Sequence, residues 1–136
     1  MSFANIKSAL VSAYVNRGFS LPTAYENKQF DPKPGKPWAS LVIVPNQPSA
    51  SSVGEYGEDQ HDGFFQIDLN YPLNIGDGAI LAKADEICWH FRAGRAFVYA
   101  DQTVRIRTTG RSPGRVVDGF YRISLTINWT ARVARS

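Results

Sequence analysis

Two stretches in the last third of the chain alternate apolar and polar residues almost without a break. They are Val104-Arg105-Ile106-Arg107-Thr108 and Phe120-Tyr121-Arg122-Ile123-Ser124-Leu125-Thr126-Ile127-Asn128-Trp129. Successive side chains of a strand point to opposite faces, so each stretch reads as a strand with one apolar and one polar side. In the longer one Tyr121, Ile123, Leu125, Ile127 and Trp129 share the apolar side, and Arg122, Ser124, Thr126, Asn128 and Thr130 share the other. A sheet built on these strands needs cover for its apolar face. Its polar face, rich in arginine and hydroxyl groups, remains as a surface for contacting another molecule.

The cover is readable at two places. Phe3, Ile6, Leu10, Ala13 and Tyr14 recur at three- and four-residue spacing, which predicts an amphipathic helix over 2–17, capped by Ser2 and stopped by Gly18. Ile80, Ala84, Ile87, Cys88 and Phe91 predict a second helix, opened at Gly76-Asp77-Gly78 with Asn74 or Asp77 as cap and stopped by Gly94. Further strands are expected at Trp38 to Val44, closed by Pro45, and from Phe64 or Phe65 to Tyr71, closed by Pro72. Short extended pieces are expected at Leu21 to Tyr25 and Phe97 to Tyr99. Residues 31–37 cannot be regular, and residues 45–60 and 109–117 read as mobile loops rich in Ser, Pro, Gly and Arg. The order predicts one α+β domain over 1–136, with a mainly antiparallel sheet backed by two helices on one face.

Composition narrows the function more than it names it. With 43% apolar and 20% charged residues the chain has the make-up of an ordinary globular domain. No run approaches the roughly twenty apolar residues that span a bilayer, and the first residues lack the basic-then-apolar order of a secretory signal. One cysteine, Cys88, fits a reducing compartment. The net charge of +3 conceals a division: residues 1–91 hold 6 basic and 10 acidic residues, residues 92–136 hold 9 arginines and 2 acidic residues. Glu55, Glu58, Asp59 and Asp62 concentrate the acid; Arg105, Arg107, Arg111 and Arg115 concentrate the base. Opposite charges on different parts of one subunit suit head-to-tail association of copies; two solvated faces are the plainer reading.

Catalytic and cofactor chemistry finds no set of residues. Gly76-x-Gly78 lacks the third glycine and the context of a phosphate loop. His61, His90 and Cys88 have no metal-ligand spacing. Cys88 lies on an apolar helical stripe and reads as a small core residue. The serines at 49, 51 and 52 sit in no nucleophile elbow, and the acids at 55–62 lack the ligand pattern of a calcium loop. His90 is expected to be partly exposed near a helix C-terminus, where a cation is mildly favoured. No catalytic, cofactor-binding or metal residue is therefore assigned. The arginines would suit phosphates, but Tyr121 and Trp129 fall on the apolar side and offer no stacking platform, so a protein partner is favoured over nucleic acid. Trp38 and Trp129 sit in apolar strand phases and read as core.

Taken in order, several segments resemble a known family. These are the N-terminal helix, the extended piece ending near Tyr25-Glu26-Asn27, Pro37-Trp38-Ala39-Ser40-Leu41-Val42-Ile43, Gly63-Phe64-Phe65-Gln66-Ile67-Asp68-Leu69-Asn70-Tyr71-Pro72, Gly76, and Asp118-Gly119-Phe120-Tyr121-Arg122-Ile123-Ser124-Leu125-Thr126-Ile127. Over nearly the whole length the chain is similar to the tail terminator and tail-completion proteins of long, flexible-tailed bacteriophages. The resemblance implies a structural virion protein assembled in the bacterial host cytoplasm, with no catalysis and no cofactor. It implies a hexameric ring that caps the tail tube, stops its polymerisation and offers the head-joining surface. Its partners would be its own copies, the tail tube protein and a head-completion protein, with DNA only passing through the lumen and no membrane involved. Another neck component, a head–tail joining protein, is the nearest alternative; a basic nucleic-acid-binding accessory protein is the more distant one. Within such a ring the acids Glu55, Glu58, Asp59 and Asp62 of one subunit are expected near Arg105, Arg107, Arg111 or Arg115 of a neighbour.

Overall fold

Within the fifteen residues from Phe120 to Ala134, those from Tyr121 to Val133 alternate so regularly that one backbone conformation places all of their apolar groups on a single side. The computed structural model, which describes residues 3–46, 49–50 and 54–134, realises this as one strand of that length. In chain order the elements are α1 (Phe3–Arg17), β1 (Thr23–Ala24), β2 (Trp38–Pro45), β3 (Ser49–Ala50), β4 (Glu58–Pro72), α2 (Gly78–His90), β5 (Ala96–Tyr99), β6 (Gln102–Arg111), β7 (Arg115–Val117) and β8 (Phe120–Ala134). The sheet runs β1-β2-β4-β8-β6-β5, with β3 added to β4 and β7 to β8. Among the described residues β1 pairs with β2 in parallel and the other pairings are antiparallel. The architecture is α+β, with two helices on a mostly antiparallel sheet.

The core lies between the helices and one face of the sheet. Phe65, Ile67 and Leu69 of β4 and Leu125, Ile127 and Trp129 of β8 are fully enclosed, together with Ile6 and Leu10 of α1 and Ile80, Ala84 and Ile87 of α2. Phe91, just past α2, meets Phe65 edge to face with ring centroids 5.6 Å apart. Gly18, at φ +69°, takes the left-handed turn that ends α1. Asp77 stands at the α2 N-cap without a side-chain bond to the first turn, and Ser2 lies outside the described residues.

Several expected boundaries move. The strand expected from Phe64 or Phe65 begins at Glu58, because β8 supplies backbone partners for Glu58 to Asp62 whatever their polarity. Arg111 ends β6 and Arg115 begins β7, which leaves 112–114 as the connection where a longer loop was expected. Trp38 is not in the core. On β2 the buried phase is Ala39, Leu41 and Ile43, so Trp38 projects from the opposite face, stacked on Phe30 at 5.3 Å and edge-on to Phe120 at 5.8 Å.

The open edge of β2 beyond β1 is closed by side-chain and loop groups. The Ala39 N–H donates to the Pro22 carbonyl, the Ile43 N–H donates to the Glu26 carboxylate at 3.0 Å, and Pro45 has no N–H. This prevents another strand from adding there. Gly63 faces Trp129 across the β4–β8 pair, and a Cβ at Gly63 would lie 2.6 Å from Trp129 Cζ2 and against the Val44 carbonyl oxygen. Trp129 therefore fills space that only glycine leaves open. Trp129→Ala is expected to cost about 3–5 kcal/mol of unfolding free energy, and Gly63→Ala about 1–3 kcal/mol through overpacking. Urea denaturation measures both; a Trp129→Ala protein with an unchanged midpoint would contradict this packing.

Candidate interaction surface

Where the two central strands turn their polar residues outward, they build a hydrogen-bonded network across the sheet. Asp68 of β4 pairs in register with Ser124 of β8, and Asn70 with Arg122. The Ser124 hydroxyl donates to the Asp68 carboxylate, Gln66 Nε2 donates to the same oxygen at 3.0 Å, and Arg122 Nε donates to Asn70 Oδ1 at 2.7 Å. Asn70 is completely buried and Ser124 nearly so. A buried polar group left unpaired is costly, so these residues specify the register as firmly as the apolar ones do. Arg115 of β7 extends the network, donating to Ser112 Oγ and Ser124 Oγ.

The residues expected from sequence to mediate contacts are dispersed. Arg105 is exposed and donates to the Gly94 carbonyl oxygen. Arg107 approaches Asp62 of its own chain at 3.9 Å, and Arg111 pairs with Asp85 of α2 at 2.8 Å. One expected acid and one expected arginine thus meet inside a single subunit. Glu55 sits in an exposed turn, while Glu58 and Asp59 open β4.

A second constellation joins the C-terminal ends of the helices. His90, the last residue of α2, packs its ring against Phe19, Phe91 and Phe97. Arg95 Nη1 can only donate, so His90 Nδ1 accepts from it at 3.1 Å, and Nε2–H donates to the Ala13 carbonyl oxygen at 3.0 Å. Burial lowers the His90 pKa below its ordinary value, reinforced by Arg95, Arg17 and Arg92 against the opposing pull of the Ala13 carbonyl. The neutral imidazole is therefore favoured, contrary to the cation expected at a helix C-terminus. Beside it Trp89 stands 68% exposed, with the Arg92 guanidinium over its ring at 4.1 Å and Arg92 Nη1 donating to the Trp89 carbonyl oxygen at 2.9 Å. Trp89 is absent from the residues expected to make contacts, although the helical phase of the sequence marks it. It lies off the stripe of Ile80, Ala84, Ile87 and Phe91 and so had to face outward.

Among the described residues no group of His, Cys, Asp or Glu is arranged to hold a metal. Cys88 is half-buried, and burial pushes its thiol pKa up, with Arg111 opposing, which disfavours the thiolate a nucleophile needs. No described helix is long and apolar enough to cross a membrane.

A small α+β subunit with a hydrogen-bonded polar network on one sheet face, several charges paired within the chain and an exposed Trp–Arg pair offers surfaces suited to binding another protein. The family model for phage tail terminator proteins matches residues 5–129, and the chain belongs to that family, whose members are structural components of the virion tail. No curated protein matches. Among the solved structures that match, one superposes with a TM-score of 0.79 over 98% of this chain and 97% of its own at 17% sequence identity, a likeness of fold.

Because the unfolded state binds a proton at His90 more readily than the folded state, stability falls as pH drops from the ordinary imidazole value of about 6.5 toward the depressed folded one. The melting temperature is expected to be lower at pH 5 than at pH 7.5, and His90→Gln should narrow the difference. An undiminished difference in His90→Gln would assign the effect to other groups.

Proposed function

We propose that this chain is the terminator subunit that closes into a ring on the last ring of the tail tube, halts addition of tube protein and presents the surface that joins the filled head. The observation that carries the reading is the family match over residues 5–129, and the geometry is consistent with it. The chain segregates charge along its length, its β2 edge is blocked against strand addition, and its one highly exposed tryptophan sits on a rigid helix. At the β2 edge such a subunit associates through side-chain patches rather than by extending its sheet, and copies joined head to tail close into a ring. A hexamer is the form the resemblance implies.

The partners follow from the position. One face of the ring meets the tube protein and the other a head-completion protein, while DNA passes through the lumen. Arginines held by their own subunit, as Arg107 by Asp62 and Arg111 by Asp85, bind passing phosphates less strongly than free ones.

Electron microscopy of a lysate from a phage carrying a deletion of this gene tests the reading. Tails of uncontrolled, excessive length without heads are the expected result. Tails of normal length beside separate filled heads would instead make the protein a joining component of the neck, and intact infectious particles would remove it from the tail pathway.

A further inference from the structure

We propose that Trp89 and the arginines around it receive the Glu55-Tyr56-Gly57 turn of a second copy of this chain. The inference rests on the ring reading and names one contact within it. Trp89 exposes most of its indole, yet helix α2 and the Arg92 guanidinium hold it in place. Tryptophan and arginine are the residues that most often dominate binding energy at protein interfaces, and a pre-positioned pair loses little freedom on binding.

The charge of this patch is positive. Arg92 and Arg95 have no ion-pair partner among the described residues, and Arg17, which also acts on His90, shares Glu86 with Lys83. Arg17 lies over the Phe19 ring at 5.1 Å and Arg95 over the Phe97 ring at 5.0 Å, so both guanidinium groups rest on aromatic rings that pack against His90.

The occupant is supplied by the same chain. Gly57 N–H donates to the Gly54 carbonyl oxygen at 3.1 Å and closes a turn that presents Tyr56 85% exposed. Glu55 is exposed beside it, Glu58 and Asp59 follow, and no lysine or arginine occurs from residue 37 to 82. An aromatic knob flanked by acid is complementary in charge and chemical character to an indole flanked by guanidinium groups. Knob and patch are both solvent-exposed in one subunit, so they join two different copies. A contact between unlike patches is heterologous, the type that propagates around a ring.

The test uses assembled tails. Gly57→Cys and Ala93→Cys, which leave Tyr56 and Trp89 in place, are combined in a Cys88→Ser background, and purified particles are treated with a short bis-maleimide. The expected result is a ladder of covalently joined terminator subunits that neither single-cysteine variant gives. If an amine-directed cross-linker joins terminator subunits in the same particles but the maleimide does not, the contact is overturned while the ring stands. If neither reagent joins them, the ring reading fails too. A maleimide product containing a different virion protein would overturn the choice of occupant. Independently, Glu55→Arg and Arg92→Glu should each lower infectious titre tenfold or more, and the two together should restore most of it; no restoration would contradict the pairing.

Discussion

Fifteen consecutive residue pairs between β4 and β8, from Glu58 with Ala134 to Pro72 with Phe120, fix everything else in this molecule. A shift of one position would turn Phe65, Ile67, Leu125 and Ile127 away from the helices and bring Asp68, Asn70 and Ser124 into the core. The register is held from both sides. Trp129 packs across Gly63 beneath the sheet, and the Asp68–Ser124 and Asn70–Arg122 hydrogen bonds lock it above. From this ribbon β2 extends the sheet on one side and β6 on the other, and the two helices complete the core.

The same two-sidedness bears on function. One face is committed to packing, and the centre of the other is committed to internal hydrogen bonds. Surface contacts are therefore left to the periphery: the ends of the helices, the turn before β4 and the β7 hairpin. Several of its charges are already paired inside the subunit, which holds side chains in fixed positions rather than making them reactive. That distribution suits a protein whose task is to fit between other proteins.

The core was legible in the sequence wherever a single period prevailed. Phe65, Ile67 and Leu69 and the residues 123–129 declare their faces by strict alternation, and the buried positions of α1 and α2 recur at helical spacing. Trp38 misled because Trp38-Ala39-Ser40-Leu41-Val42-Ile43-Val44 is nearly continuous in apolar residues, so its phase is set by pairing with β4 rather than by pattern. The start of β4 was hidden for the opposite reason: Glu58 to Asp62 have nothing apolar to alternate, and their strand form depends on a partner about seventy residues away. The surface was legible as charge but not as geometry. Composition set Asp62 against the basic third of the chain, and only the fold shows that Arg107 lies close to it in the same subunit while the Arg92 guanidinium covers the exposed Trp89 ring.

The account turns on whether this subunit ends a growing tube. Purified tube protein elongating in vitro, with the length distribution followed by electron microscopy as this protein is titrated in, examines that directly. Tubes that stop growing at amounts of the protein far below those of the tube subunit, with the protein located at one end, are the predicted result. Tubes that grow to the same length with or without it would contradict the account.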